Sequence, residues 1–279
     1  MRLRLWHAAD GTRVAYREVG TGPAFVLLHS AGLTHREWEP AVEHLTHRFR
    51  LVLPDLPLHG ASEDDPCRPY TRDWFVATVG AFCTAVAGPR PLVAGHGLGA
   101  ELLLRGVLAD VLRPSRLVLT PTRLHGPCGD RRRDRARRLA LRAGSLPGLD
   151  RAMGHLARAA VRPGDAEHLT ARANPAAGDL VRHAVADVGG NAGRARSWAR
   201  HVRSWPTGPD PELLEAYARV LCPTLLLWAG ADERHPVARA EEALARLPDG
   251  QLRVLHDAGF LIAYDDPVGV ARELLAFCG

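Results

Sequence analysis

Apolar residues in the first 120 positions fall into short runs that alternate with longer stretches of helical spacing. Arg13–Glu18 and Ala24–His29 read as strands, Arg36–His47 as a helix and Phe49–Pro54 as a strand. Short apolar runs bounded by turn residues fit buried strands, and recurrence at i, i+3 and i+4 fits a helix with one buried face. Arg72–Ala87 then reads as a helix, Pro91–Gly95 as a buried strand, Leu98–Leu108 as a helix and Arg116–Thr120 as another strand. This β-α alternation predicts a mostly parallel sheet with helices on both faces.

From about Pro121 to Tyr217 the pattern changes to Arg/Ala/Gly-rich helical segments broken at Pro147, Pro163, Pro175, Pro206 and Pro209. Strand and helix patterns return at Pro223–Ala229, Val237–Leu247, Leu252–Leu255 and Val268–Phe277. The chain therefore divides into an α/β core, residues 1–121 and 218–279, interrupted by a helical insertion over 122–217 that forms a cap. At 279 residues it is long enough for that arrangement.

Four stretches in order carry a resemblance. They are Val26-Leu-Leu-His29-Ser30-Ala31-Gly32, Leu53-Pro-Asp55-Leu-Pro-Leu-His59-Gly60-Ala-Ser62, Val93-Ala-Gly95-His96-Gly97-Leu98-Gly99-Ala100 and Thr224-Leu-Leu-Leu-Trp228-Ala-Gly-Ala-Asp232-Glu-Arg-His235-Pro236. Together they resemble the α/β-hydrolase fold superfamily, in its cap-bearing branch of esterases, epoxide hydrolases, C–C hydrolases and lactonases. The resemblance implies an eight-stranded, mostly parallel sheet. It also places Gly97 at the nucleophile position of the G-x-S-x-G elbow and Asp232 at the acid, with Glu233 as the one-residue alternative. Counting back from Pro267 puts Phe260 where the triad histidine stands; His256, four residues upstream, could replace it only through a loop shift.

Neither a glycine nor a phenylalanine can supply a nucleophile or carry a proton, so the resemblance implies a degenerate triad. In a serine protease, removing such groups costs on the order of 10⁶-fold in turnover. Glycine also relieves elbow strain of roughly 1–3 kcal/mol. Phe260 either fills core or offers an aromatic wall. Backbone donors at Leu98 and near Ser30 are expected to persist as an oxyanion hole. Asp232, lacking its imidazole, is the first candidate acid or base, with a raised pKa in an apolar pocket. Ser30 and His96 complete the catalytic candidates, His96 also having a packing role open to it. His29, Ala31, His35, His125 and Tyr264 are candidates for the pocket wall, and the resemblance implies that Asp55, His29 and His59 mostly brace loops by hydrogen bonding. Glu101 is either a buried base or the partner of Arg105, four residues on. Restoring Gly97→Ser with Phe260→His is expected to recover weak esterase activity if the site is otherwise intact.

Composition changes this picture little. Every one of the 36 basic residues is arginine, and the densest run, Arg131–Arg138, alternates with Asp130 and Asp134 as a paired helix face, so no nucleic-acid partner is expected. The five cysteines are scattered, with neither a metal-ligand spacing nor a disulfide pattern. No targeting segment or membrane span is apparent, and a cytoplasmic location is expected. The reading that follows is a cofactor-free, metal-free lyase, isomerase, dehydratase or cyclase. Its substrate would be a carbonyl-bearing, apolar or polyketide-like small molecule, in secondary metabolite biosynthesis. A non-catalytic ligand-binding protein and an atypical hydrolase working by direct water attack on an ester, lactone or epoxide remain open. A homodimer is also allowed.

Overall fold

The computed structural model describes residues 1–126, 169–188, 192–205 and 208–279. Within them the strands are β1 (Arg2–His7), β2 (Arg13–Val19), β3 (Ala24–Leu28), β4 (Arg50–Pro54), β5 (Leu92–Gly95), β6 (Arg116–Leu119), β7 (Thr224–Ala229) and β8 (Gly250–Leu255). They form one eight-stranded sheet in the order β1-β2-β4-β3-β5-β6-β7-β8. β2 pairs antiparallel with both β1 and β4, and every other pairing is parallel.

Alternation along each strand sends side chains to two cores. Val26, Leu28, Val52, Val93, Leu117, Leu119, Leu226 and Trp228 pack on one face. Phe25, Leu27, Leu51, Leu53, Ala94, Val118, Leu225 and Leu227 pack on the other. Both faces are covered, which is why the central strands read as unbroken apolar runs.

The helices are α1 (Glu39–Leu45), α2 (Arg72–Ala87), α3 (Leu98–Leu108), α4 (Pro175–Val188), α5 (Ala192–Ser204), α6 (Pro211–Ala216), α7 (Val237–Leu244), α8 (Ile262–Asp265) and α9 (Pro267–Cys278). α2 and α3 have the bounds expected from spacing. Helix α2 begins where the Thr71 side chain accepts from the Trp74 amide, as an N-cap does. The expected single helix over Arg36–His47 is instead a 3-10 turn, His35–Trp38, running into α1. That difference matters below, because the turn points Glu37 inward.

The helices between β6 and β7 lie over the loops that leave the carboxyl ends of the strands. Ala177, Leu180, Val181 and Ala184 of α4 cluster with Leu33 and Leu261. Trp198 of α5 meets the His59 ring edge-on at 4.7 Å, and Ser197 and Ser204 donate to the carbonyls of Asp64 and Tyr70. The arginine face at Arg131–Arg138, Cys128 and much of the expected insertion lie outside the described residues. Cys67, Cys83, Cys222 and Cys278 are free thiols. Among the described residues no helix is long and apolar enough to cross a membrane.

Candidate active site

The turn from β5 into α3 sets the centre of the site. Gly97 has φ 50° and ψ −111° at the N-terminus of α3, a conformation that a residue with a Cβ adopts only under strain. Its N–H donates to the Pro121 carbonyl at 3.0 Å, and its own carbonyl accepts from the Thr122 hydroxyl at 2.8 Å. Gly99 is glycine for a different reason: a Cβ there would come within 2.6 Å of the Leu28 Cβ. A Cβ on Gly97 would lie 2.6 Å from the Ser30 Cβ and 3.4 Å from Phe260 Cζ. The space a side chain at this turn would enter is therefore already held by Ser30. The Leu98 amide, at the first position of α3, lies outside the intrahelical ladder and keeps its donor capacity.

Ser30 is not the amide donor expected from the sequence. Its N–H donates to Glu37 Oε2 at 2.6 Å and its hydroxyl donates to Glu37 Oε1 at 2.9 Å. Both groups are thus turned toward a buried carboxylate, and the Ser30 amide is unavailable to an oxyanion. Glu37 also receives His96 Nδ1 on Oε1 at 2.5 Å. Glu37, His96 and Ser30 are each no more than 3% exposed. Burial pushes the Glu37 carboxyl up, but the facing His96 imidazole and the Ser30 amide outweigh it and hold the group below its ordinary value. The 3-10 turn that carries Glu37 is pinned by the Trp38 indole, which donates to the Leu28 carbonyl at 3.1 Å.

With Nδ1–H given to Glu37, the neutral His96 ring carries its lone pair on Nε2. That nitrogen is buried and has no hydrogen-bond partner among the described residues. An unmade hydrogen bond of this kind costs about 1–3 kcal/mol. The His96 ring stacks on Phe260 with centroids 4.2 Å apart and a 35° tilt. His235 stacks on the same phenyl ring at 5.1 Å and 26°.

Asp232 does not lack an imidazole. His235 Nδ1 donates to its Oδ2 at 2.7 Å, and the Arg234 amide donates to Oδ1 at 2.9 Å. Burial raises the Asp232 carboxyl, but the His235 hydrogen bond and charge bring it below its ordinary value. The expected raised pKa is therefore corrected: a histidine three residues further on supplies Asp232 with an imidazole partner. The Trp228 indole donates to the His235 carbonyl at 2.6 Å and fixes this loop on β7. Glu233 and His256 are both exposed.

The remaining candidates separate into supports and bystanders. His29 Nε2 accepts from the Leu56 amide at 2.8 Å while Nδ1 donates to the Ser30 carbonyl at 2.8 Å, and burial pushes its pKa down. His59 accepts from the Gly32 amide at 3.0 Å and donates to the Pro57 carbonyl at 2.9 Å. Both rings hold loops together through these bonds. His35 donates to Asp55 from its amide and from Nδ1, at 2.9 and 2.7 Å. Tyr264 donates to the Arg36 carbonyl at 3.0 Å, and burial pushes its hydroxyl up to about 12. Ala31 is exposed.

His125 stands elsewhere, bound to Glu242 at 2.7 Å on α7 and facing the Tyr217 hydroxyl at 3.4 Å. It does not contact the elbow group, which corrects its assignment to the pocket. Glu101 is committed to Arg105 and Arg123 at 3.0 and 2.8 Å, the arginine-paired outcome rather than the buried base. No group of three or more potential metal ligands occurs among the described residues.

Asp55 illustrates how firmly the loop supports are set. Burial raises its carboxyl, but the His35 hydrogen bond and charge dominate and bring it down to about 2. A depressed carboxylate stabilises the fold above its unfolded pKa, and that contribution is lost as pH falls through the folded value. We expect Asp55→Asn to cost about 2 kcal/mol at pH 7, with the difference from wild type shrinking between pH 4 and pH 2. Urea unfolding across that range measures it.

The chain belongs to the α/β hydrolase family, which it matches over residues 25–273. It is 36% identical over 115 residues to a pimeloyl-[acyl-carrier protein] methyl ester esterase of Nitrosomonas europaea, covering 41% of this chain and 42% of that protein. A Mycobacterium tuberculosis protein of uncharacterized function is 25% identical over 284 residues, covering 94% of this chain and 77% of the relative. Among solved structures, a hydrolase from Pseudomonas aeruginosa PA01 superposes with a TM-score of 0.75 at 25% identity, covering 100% and 98% of the two chains. The enol-lactonase from Burkholderia xenovorans LB400 shares the fold with a TM-score of 0.73 at 20% identity, covering 98% and 99%.

Proposed function

We propose that this α/β-hydrolase-fold chain is a non-hydrolytic enzyme, a lyase, isomerase, dehydratase or cyclase. It acts without a cofactor on a carbonyl-bearing, largely apolar small molecule in secondary metabolism. In this reading Gly97 and Phe260 occupy the nucleophile and histidine positions of a degenerate triad, and residues 122–217 form the cap that shapes the substrate. The observation that carries the proposal is the Ser30 Cβ 2.6 Å from where a Gly97 Cβ would stand. A position that had merely lost a serine's hydroxymethyl group would leave a gap. Here a neighbour occupies the space, which fits a site adapted to work without a covalent step there. Proton transfer beside the remaining Leu98 amide suits reactions through an enolate.

The esterase relative favours a second reading, hydrolysis by direct attack of water. One experiment separates the two. The purified protein is treated with a fluorophosphonate probe and p-nitrophenyl esters, and then with β-keto and polyene substrates whose products are followed by mass spectrometry. We expect no covalent labelling, ester turnover no faster than buffer, and a rearranged or cleaved product without added water. Labelling at the elbow or hydrolysis of the esters would refute the proposal.

A further inference from the structure

We infer that His96 and His235, held respectively by Glu37 and Asp232, are the proton-transfer pair of this site, His96 the base and His235 the acid. The inference deepens the proposed function and rests on that reading. Three observations bring it together. Each imidazole gives Nδ1 to a buried carboxylate, at 2.5 and 2.7 Å. Both rings pack on Phe260, His235 stacked and His96 tilted, so one side chain contacts residues from the end of β5 and from the loop after β7. His96 Nε2, nine-tenths buried or more, has no partner among the described residues.

A carboxylate on Nδ1 fixes the tautomer, turns the lone pair onto Nε2 and stabilises the imidazolium that forms when Nε2 takes a proton. The structure supplies that arrangement twice, and neither copy uses the triad histidine position. Glu37 and Asp232 are positioning residues. The two imidazoles are the catalytic ones.

The step balances without a further reactant. His96 Nε2 takes a proton from carbon next to the substrate carbonyl. The C–H electron pair becomes a C=C bond, and the carbonyl electrons move to oxygen as an enolate. His235 Nε2 returns one proton to another carbon or to a leaving oxygen, while Nδ1 stays bonded to Asp232. The two rings end with their protons exchanged, and solvent resets them. The titratable groups that bind the pair are Glu37 at His96 and Asp232 at His235, and His29 and Tyr264 act on Glu37 in turn.

The test uses 5-nitrobenzisoxazole, a planar apolar probe that opens when a base removes its C3 proton. The C–H electrons form the nitrile, the N–O bond breaks and a coloured phenolate leaves, so no nucleophile or water is needed. We expect the wild type to open it faster than free imidazole does, and His96→Gln to lose about 100-fold. Added imidazole should restore part of the rate to His96→Ala. Glu37→Gln should lower kcat for the probe while leaving KM close to the wild-type value, since the carboxylate that orients His96 Nδ1–H is gone. Histidine-selective ¹⁵N spectra of the wild type, which need no variant to fold, should show Nδ1 protonated and Nε2 bare on His96. A rate unaffected by His96→Gln, or spectra with Nε2 protonated on neutral His96, would overturn the inference. Either result would leave the absence of fluorophosphonate labelling untouched, so the two proposals can fail separately.

Discussion

Replacing Gly97 with serine alone should lower the melting temperature by about 5–10 °C and confer no esterase activity. The new Cβ would sit in a backbone region with φ 50° and ψ −111°, which costs about 1–3 kcal/mol. It would also meet the Ser30 Cβ at 2.6 Å, and overpacking of that kind adds about 1–3 kcal/mol. Ser30→Gly should relieve the second part and not the first. A thermal-unfolding double-mutant cycle should therefore give a favourable coupling of about 1–2 kcal/mol between the two positions. Additive effects would mean that Ser30 does not fill the elbow. The same geometry corrects the expectation that Gly97→Ser with Phe260→His suffices to recover activity. The entering hydroxyl has no room beside Ser30, and the carboxylate that would orient a histidine at 260 is already bound by His235. We expect measurable ester turnover only when Ser30→Gly and His235→Ala are added, read with p-nitrophenyl acetate.

Much of the architecture was legible because both faces of the sheet are buried. An apolar run such as Thr224–Ala229 has no other place to go, and glycines at 95, 97 and 99 mark a turn where backbone and strand approach closely. β1 was not read as a strand because it lies at the edge, with Leu3 and Leu5 each 52% exposed. Backbone pairing with β2 and the contact of Trp6 with Phe82 hold it, and neither leaves a pattern in the sequence. The turn between β5 and α3 and the loop after β7 stand out through motifs, which are local. Their partners do not. His235 could have been noticed three residues after Asp232, at turn spacing. Glu37 carried no such sign, since a glutamate between Arg36 and Trp38 in an amphipathic stretch reads as the solvent face of a helix. Its burial depends on the 3-10 turn and on strands 59 residues further along the chain bringing His96 beneath it.

Glu37 should consequently be the most sensitive polar position in the described structure. Glu37→Ala would leave the Ser30 amide, the Ser30 hydroxyl and His96 Nδ1 without their acceptor in a place closed to water. Removing one partner of a buried charge-assisted network costs about 3–5 kcal/mol, a large share of the 5–15 kcal/mol that holds a typical domain folded. Glu37→Gln keeps the shape and one carbonyl acceptor, and should cost about half as much, because the amide nitrogen cannot accept from the Ser30 N–H. The sign of the pH dependence follows from the lowered Glu37 carboxyl. Its stabilisation is present above the ordinary carboxylate range and is lost as acid protonates the folded state. Wild type and Glu37→Gln should thus converge in stability toward low pH, and Glu37→Ala should remain the least stable at every pH. Urea denaturation of the three proteins between pH 3 and pH 7 tests this. Equal stability of wild type and Glu37→Ala at neutral pH would mean that the carboxylate is not the acceptor for these three groups, and the base assigned to His96 would lose its orienting partner with it.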